Sequence, residues 1–121
     1  MAKDDFFVVA YKILLYYYAC LKRTRVFDKD EFDRVIGAKD INEDYLLDIF
    51  MMLYDNGYLD GVNYKRAFGG DLAFINPPDK YKITLKGIEY LQENSMMSKT
   101  RDMLLKTASP IASLIKLVFP L

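Results

Sequence analysis

The side chains that most often do chemistry are scarce in this chain. It has no histidine, so the commonest general base and metal ligand are absent together. Its one cysteine, Cys20, lies in an apolar run with no histidine to activate it, which suits packing better than nucleophilic attack. Gly69-Gly70 has neither the spacing nor the lysine of a phosphate-cradling loop. The acid pairs Asp4/Asp5 and Asp28/Asp30 fall where helix starts already account for them. The expectation is a non-enzymatic protein with no catalytic residue, no metal site and no cofactor.

Two other sets of residues could make contacts. Lys65, Arg66, Lys80, Lys82 and Lys86 cluster around a glycine-rich turn and the segment after it. They could hold a DNA backbone or an acidic partner, or simply be solvated edge lysines that discourage strand pairing. The second set is an apolar surplus. Phe6, Val9, Ile13 and Tyr16 form an extra stripe on the first helix, Leu47 and Met51 lie off the main stripe of the third, and Leu114, Ile115 and Val118 lie near the end. These either pack within one chain or meet a partner, including a second copy.

Positioning elements follow from periodicity and caps. A first helix is expected over about Asp4 to Lys22, with two apolar stripes and therefore cover on two sides. Its apolar run, Phe6–Leu21, falls short of the about 20 apolar residues of a membrane span and carries Lys12. Asp28 with Glu31 resembles a capping box for a short second helix ending at Gly37. Asn42 caps a third helix, about Glu43 to Asn56, whose core stripe is Leu46, Ile49, Phe50 and Leu53.

Strands are then expected over Tyr58–Phe68 and Leu72–Asn76, turning at Phe68-Gly69-Gly70-Asp71, with a short third at Tyr81–Ile83. Thr84 caps a fourth helix to about Asn94, and Ser98–Leu121 is helical but interrupted by Pro110. Three helices and a hairpin, with the second and third helices joined by a short turn, is winged-helix order. The fold class is thus α+β and helix-rich, a winged helix over residues 1–97 with additional C-terminal helices. The extension, 98–121, packs on the first helix or on a partner chain.

The segments Asn56-Gly57-Tyr58-Leu59-Asp60-Gly61-Val62, Asn76-Pro77 and Ile83-Thr84-Leu85-Lys86-Gly87-Ile88-Glu89-Tyr90-Leu91-Gln92-Glu93-Asn94-Ser95-Met96-Met97 resemble the YjcQ family of small bacterial and phage-associated proteins. The resemblance implies a winged-helix-like fold and a regulatory role, and supplies no catalytic residues. Pro77-Pro78 and the apolar ending Leu114–Leu121 depart from the family pattern.

Charge decides against the default use of that fold. The net charge is zero, but residues 1–79 carry ten basic and fourteen acidic side chains, and 80–121 seven and three. The third helix has Glu43, Asp44, Asp48 and Asp55 and no lysine or arginine, which disfavours approach to phosphates and lacks the usual guanine reader. A protein-interaction or regulatory module is the first expectation, with a protein partner or self-association. The alternative is a DNA-binding regulator using the wing and the fourth helix. Acids at the start and a single cysteine suit a reducing cytoplasm. A membrane-surface role for Ile111–Leu121 is disfavoured because Lys116 is its only cation.

Overall fold

The computed structural model describes residues 2–66, 69–70, 72–74 and 76–120. Phe68 and Asp71 of the expected turn, Ile75 of the expected second strand and Leu121 lie outside the described residues.

The first helix, α1 (Phe6–Leu21), is the axis on which the other elements are assembled. Asp5 caps it by accepting the Phe7 N–H at 3.0 Å. The two apolar stripes have the cover they require. α1 contacts α2 (Lys29–Ile36), α3 (Glu43–Asp55), α4 (Leu85–Glu93), α5 (Ser95–Leu105) and α6 (Pro110–Val118). Val9, Ile13 and Tyr16 of the second stripe are fully enclosed.

α6 supplies Ile111, Leu114, Ile115 and Val118 to the same core. Each such burial is worth about 1.5–3 kcal/mol. That outweighs the polar clasp at the helix end, where Lys22 Nζ donates to the Val118 carbonyl at 2.6 Å and a cation near a C-terminus adds about 0.3–1 kcal/mol. Lys22, at the end of α1, therefore closes α6. Six of the candidate partner residues, Val9, Ile13, Tyr16, Leu114, Ile115 and Val118, are covered by their own chain. Self-association through them would require α6 to leave α1.

Asp28 and Asn42 cap α2 and α3 as their spacing predicts, Asp28 accepting the Glu31 N–H and Asn42 the N–H groups of Asp44 and Tyr45. Between the two helices the chain passes through Gly37, a 3-10 turn over Ala38–Asp40 and extended Ile41.

The single strand expected over Tyr58–Phe68 is instead two strands with different partners. β1 (Leu59–Asp60) pairs antiparallel with β4 (Lys82–Ile83), Leu59 opposite Ile83 and Asp60 opposite Lys82. β2 (Tyr64–Arg66) pairs with β3 (Leu72–Phe74), Tyr64 opposite Phe74. The break is at Gly61, where φ is +81° and a Cβ would stand 2.6 Å from the Lys80 carbonyl oxygen. No side chain fits there, so the chain turns out of the first ladder before entering the second. Asn76 ties the two together, accepting the Asn63 N–H at 2.9 Å and donating to the Gly61 carbonyl.

Thr84 starts α4 by accepting the Gly87 N–H and donating to the Gly57 carbonyl. Asn94, in extended backbone, ends α4 and caps α5 at once, accepting the N–H groups of Met96 and Met97. The described residues thus form a helix-rich α+β protein of six α-helices and two small antiparallel ladders. None of the described helices is long and apolar enough to cross a membrane.

Candidate functional site

The hairpin of β2 and β3 is latched to α3. Tyr64 and Arg66 point the same way from β2, as alternate strand residues must. The Tyr64 hydroxyl donates to the Asp55 carboxylate at 2.8 Å, and its ring meets Tyr54 edge-on at 6.1 Å. That hydrogen bond, first, raises the Tyr64 pKa above its ordinary value. Arg66 donates to the Gly70 carbonyl at 3.2 Å and to Met51 Sδ at 3.4 Å. One of the five expected contact cations is therefore spent on holding the hairpin against α3.

The other four are exposed but divided. Lys65 faces away from Arg66 on β2. Lys80 ends the turn before β4, Lys82 is in β4, and Lys86 sits in the first turn of α4 with its ammonium 5.6 Å from the centre of the Tyr58 ring. Tyr58 is in turn stacked on Tyr90 at 4.3 Å. Among the described residues no hydrogen bond or ring contact joins the cations of β2 to those of β4 and α4.

A groove of about 830 Å³ lies along the N-terminal half of α3, between α2, the 3-10 turn, α3 and the Pro77-Pro78 segment. Its floor is aromatic. Phe32 meets Phe50 at 6.1 Å and Phe50 meets Tyr81 at 5.7 Å, all three buried. Leu46 and Leu47, half-buried, form one wall. The prolines form the other, and two tyrosines fix them. Tyr17 donates to the Pro78 carbonyl at 2.8 Å, and Tyr81 to the Asn76 carbonyl at 3.1 Å. Proline has no N–H, so this wall offers a partner apolar surface without an orphaned donor. The rim is charged: Lys29 pairs with Asp33 at 2.5 Å, and Lys39 and Glu43 flank the mouth.

The remaining surface of α3 is acidic and apolar. Glu43, Asp44, Asp48 and Asp55 are exposed, as are Met52 and Tyr54, while Met51 is half-buried beneath Arg66. Phe6, on α1, is half-buried and packs edge-on against Phe7.

The family model described as YjcQ protein matches residues 11–108, from the core helix through α5. The chain belongs to the YjcQ family. No curated protein and no solved structure matches it. The matched span of this YjcQ chain contains the whole groove and both ladders.

Cys20 of the YjcQ chain is half-buried beside Glu31, and burial, followed by that carboxylate, pushes its thiol up to about 11. Among the described residues no three His, Cys, Asp or Glu side chains group as a metal site. The groove was not legible as a site because its parts are far apart in sequence. Pro77-Pro78 is its one local signal.

Proposed function

We propose that this YjcQ-family chain is a non-enzymatic winged-helix module that grips a protein partner through the groove beside α3. The order of helices α1 to α3 and the hairpin that follows support the winged-helix reading. In this reading residues 1–97 form the winged-helix body and 98–121 the extension, the boundary falling inside α5. The observation that carries the interaction role is the juxtaposition of an aromatic-floored groove with a helix bearing four carboxylates and no cation. Grooves with aromatic floors and polar rims suit short apolar or helical segments of a partner.

The test is a peptide-display selection on the full chain, with binders measured against wild type and a Leu47→Asp variant. Selected peptides should carry apolar anchors and bind the variant about tenfold or more weakly, as expected at a central contact. Peptides indifferent to Leu47→Asp, or no selected peptides, contradict the groove. Light scattering on the same samples shows whether the occupant is a second copy, with Phe6, Leu47 and Met51 as half-buried contacts.

DNA binding through the wing and α4 is a second reading. It is favoured by Lys65, Lys80 and Lys82, which are exposed and make no ion pair among the described residues. Those lysines would act on the phosphate backbone, so this mode would be strongly salt-dependent and weakly sequence-selective.

A further inference from the structure

A second cavity, about 630 Å³, lies away from the groove, between the start of α1, α2 and the joint of α5 with α6. Its volume is in the range of small-molecule sites, about 300–1,000 Å³. The floor is apolar: Val8, Leu104, Ile111 and Leu114 are buried there. The walls carry Lys3, Lys12, Arg25 and Arg34 against one carboxylate, Glu31.

Two of these cations already have partners. Arg25 is 3.6 Å from Glu31, and Lys3 is 3.3 Å from Asp40. Lys12 and Arg34 have no side-chain hydrogen bond or ion pair among the described residues. Lys12 lies one helical turn from Val8 and is half-buried, so its ammonium is partly stripped of water without a counter-ion. Burial, and then the charge of Lys3, lower its pKa from the ordinary 10.5.

The start of α6 faces the same space. Ser109 and Thr107 line it with hydroxyls 2.7 Å apart. Ser109 holds the cap position without bonding a first-turn N–H, so the positive end of the α6 dipole is left uncapped by a side chain.

We propose that this cavity binds a small amphipathic anion, its carboxylate or phosphate head held by Lys12 and Arg34 and its apolar body on Val8, Leu104, Ile111 and Leu114. Charge selects the head, because four cations face one carboxylate that is already engaged. The floor selects the body, because a bare inorganic ion would leave it empty.

The test is calorimetric titration of the full chain with decanoate, decyl phosphate and decanol at low salt. The proteins are wild type, Lys12→Met, Arg34→Gln and, as a control on the exposed side of α5, Lys99→Gln. At least one anion should bind wild type at a single saturable site, and the tighter of the two identifies the head group. Each of Lys12→Met and Arg34→Gln should weaken it about tenfold or more, the effect of losing a charge-assisted hydrogen bond. Lys99→Gln should bind as wild type, and decanol should bind at least as weakly as the two variants bind the anion. Lys12→Met replaces an unpaired, half-buried ammonium by an apolar chain, and Arg34 is exposed on α2, so both variants keep the fold. Absence of binding by both anions, decanol binding as tight as theirs, or unchanged affinity in either variant overturns the proposal.

Discussion

The Tyr16 hydroxyl donates to Glu31 Oε1 at 2.9 Å and accepts the Asp28 N–H at 3.1 Å. In a capping box the glutamate side chain itself would reach back to the cap N–H. Here a tyrosine from α1 stands between the two, so the start of α2 is fastened to the core helix. The same ring packs against Phe27 at 5.7 Å and Phe32 at 5.3 Å.

Removing that hydroxyl leaves the Asp28 N–H without its acceptor and Glu31 with Arg25 alone. Tyr16→Phe is expected to cost about 1–2 kcal/mol, the penalty for leaving a part-buried donor unsatisfied. Glu31→Gln keeps an acceptor and should cost less. Urea unfolding of the three proteins checks the order, and a Tyr16→Phe variant as stable as wild type contradicts it.

Tyr11 is the opposite case. Its ring is buried and its hydroxyl has no hydrogen-bond partner among the described residues. Tyr11→Phe deletes an unsatisfied polar atom and keeps the ring, so it should leave stability unchanged or raise it by about 1 kcal/mol. A loss of stability in the same unfolding assay would reveal a partner for that hydroxyl.

Gly87→Ala sets two effects against each other. Within a helix, alanine is favoured over glycine by about 0.5–1 kcal/mol. At this position, however, a Cβ would stand 2.3 Å from the Tyr58 carbonyl oxygen and 2.8 Å from Ile83 Cγ1. Backbone cannot yield as a side-chain tip can, so the clash wins, with a net loss of about 1–3 kcal/mol. Because the Tyr58 carbonyl also accepts the Thr84 N–H at 3.1 Å, the β1–β4 ladder should loosen with it. Faster amide exchange at Thr84, whose N–H bonds the Tyr58 carbonyl, is the accompanying signature.

High pH should unfold the chain. Burial raises the pKa values of Tyr11, Tyr16 and Tyr17 above the ordinary 10.0. The folded state therefore resists ionisation that the unfolded chain accepts. The stability linked to these groups is complete below about pH 10 and falls as pH rises beyond it toward the folded pKa values. Melting temperatures should be level from neutral pH to pH 9, apart from other groups, and drop above pH 10. Tyrosinate absorbance should then rise together with loss of helix signal. Ionisation of these tyrosines without unfolding contradicts the burial account.

What the sequence could and could not reveal divides along chain distance. Asp28, Asn42 and Thr84 are legible as caps because capping is settled within three residues. The two stripes of α1 announce that it needs cover, but its cover comes from Leu114, Ile115 and Val118, about a hundred positions away. The run of Tyr, Val and Leu after Gly57 reads as one strand, and only the approach of Gly61 to the Lys80 carbonyl shows why it is two. Tyr64 and Asp55 look unrelated until the hairpin folds back on α3. Lys12, visible as the one charge in an apolar run, gains meaning only beside Arg34 and the start of α6.

The central claim is that α3 and its groove serve a protein partner rather than DNA. The most direct measurement is titration of labelled duplex DNA with the full chain at low and physiological salt, alongside a Lys65→Glu/Arg66→Glu variant. The acidic α3 and the tethered Arg66 predict no saturable binding in the micromolar range at either salt, and no difference between wild type and variant. Micromolar binding at low salt that the double substitution abolishes would contradict the claim and give the β2–β3 hairpin a DNA-binding role.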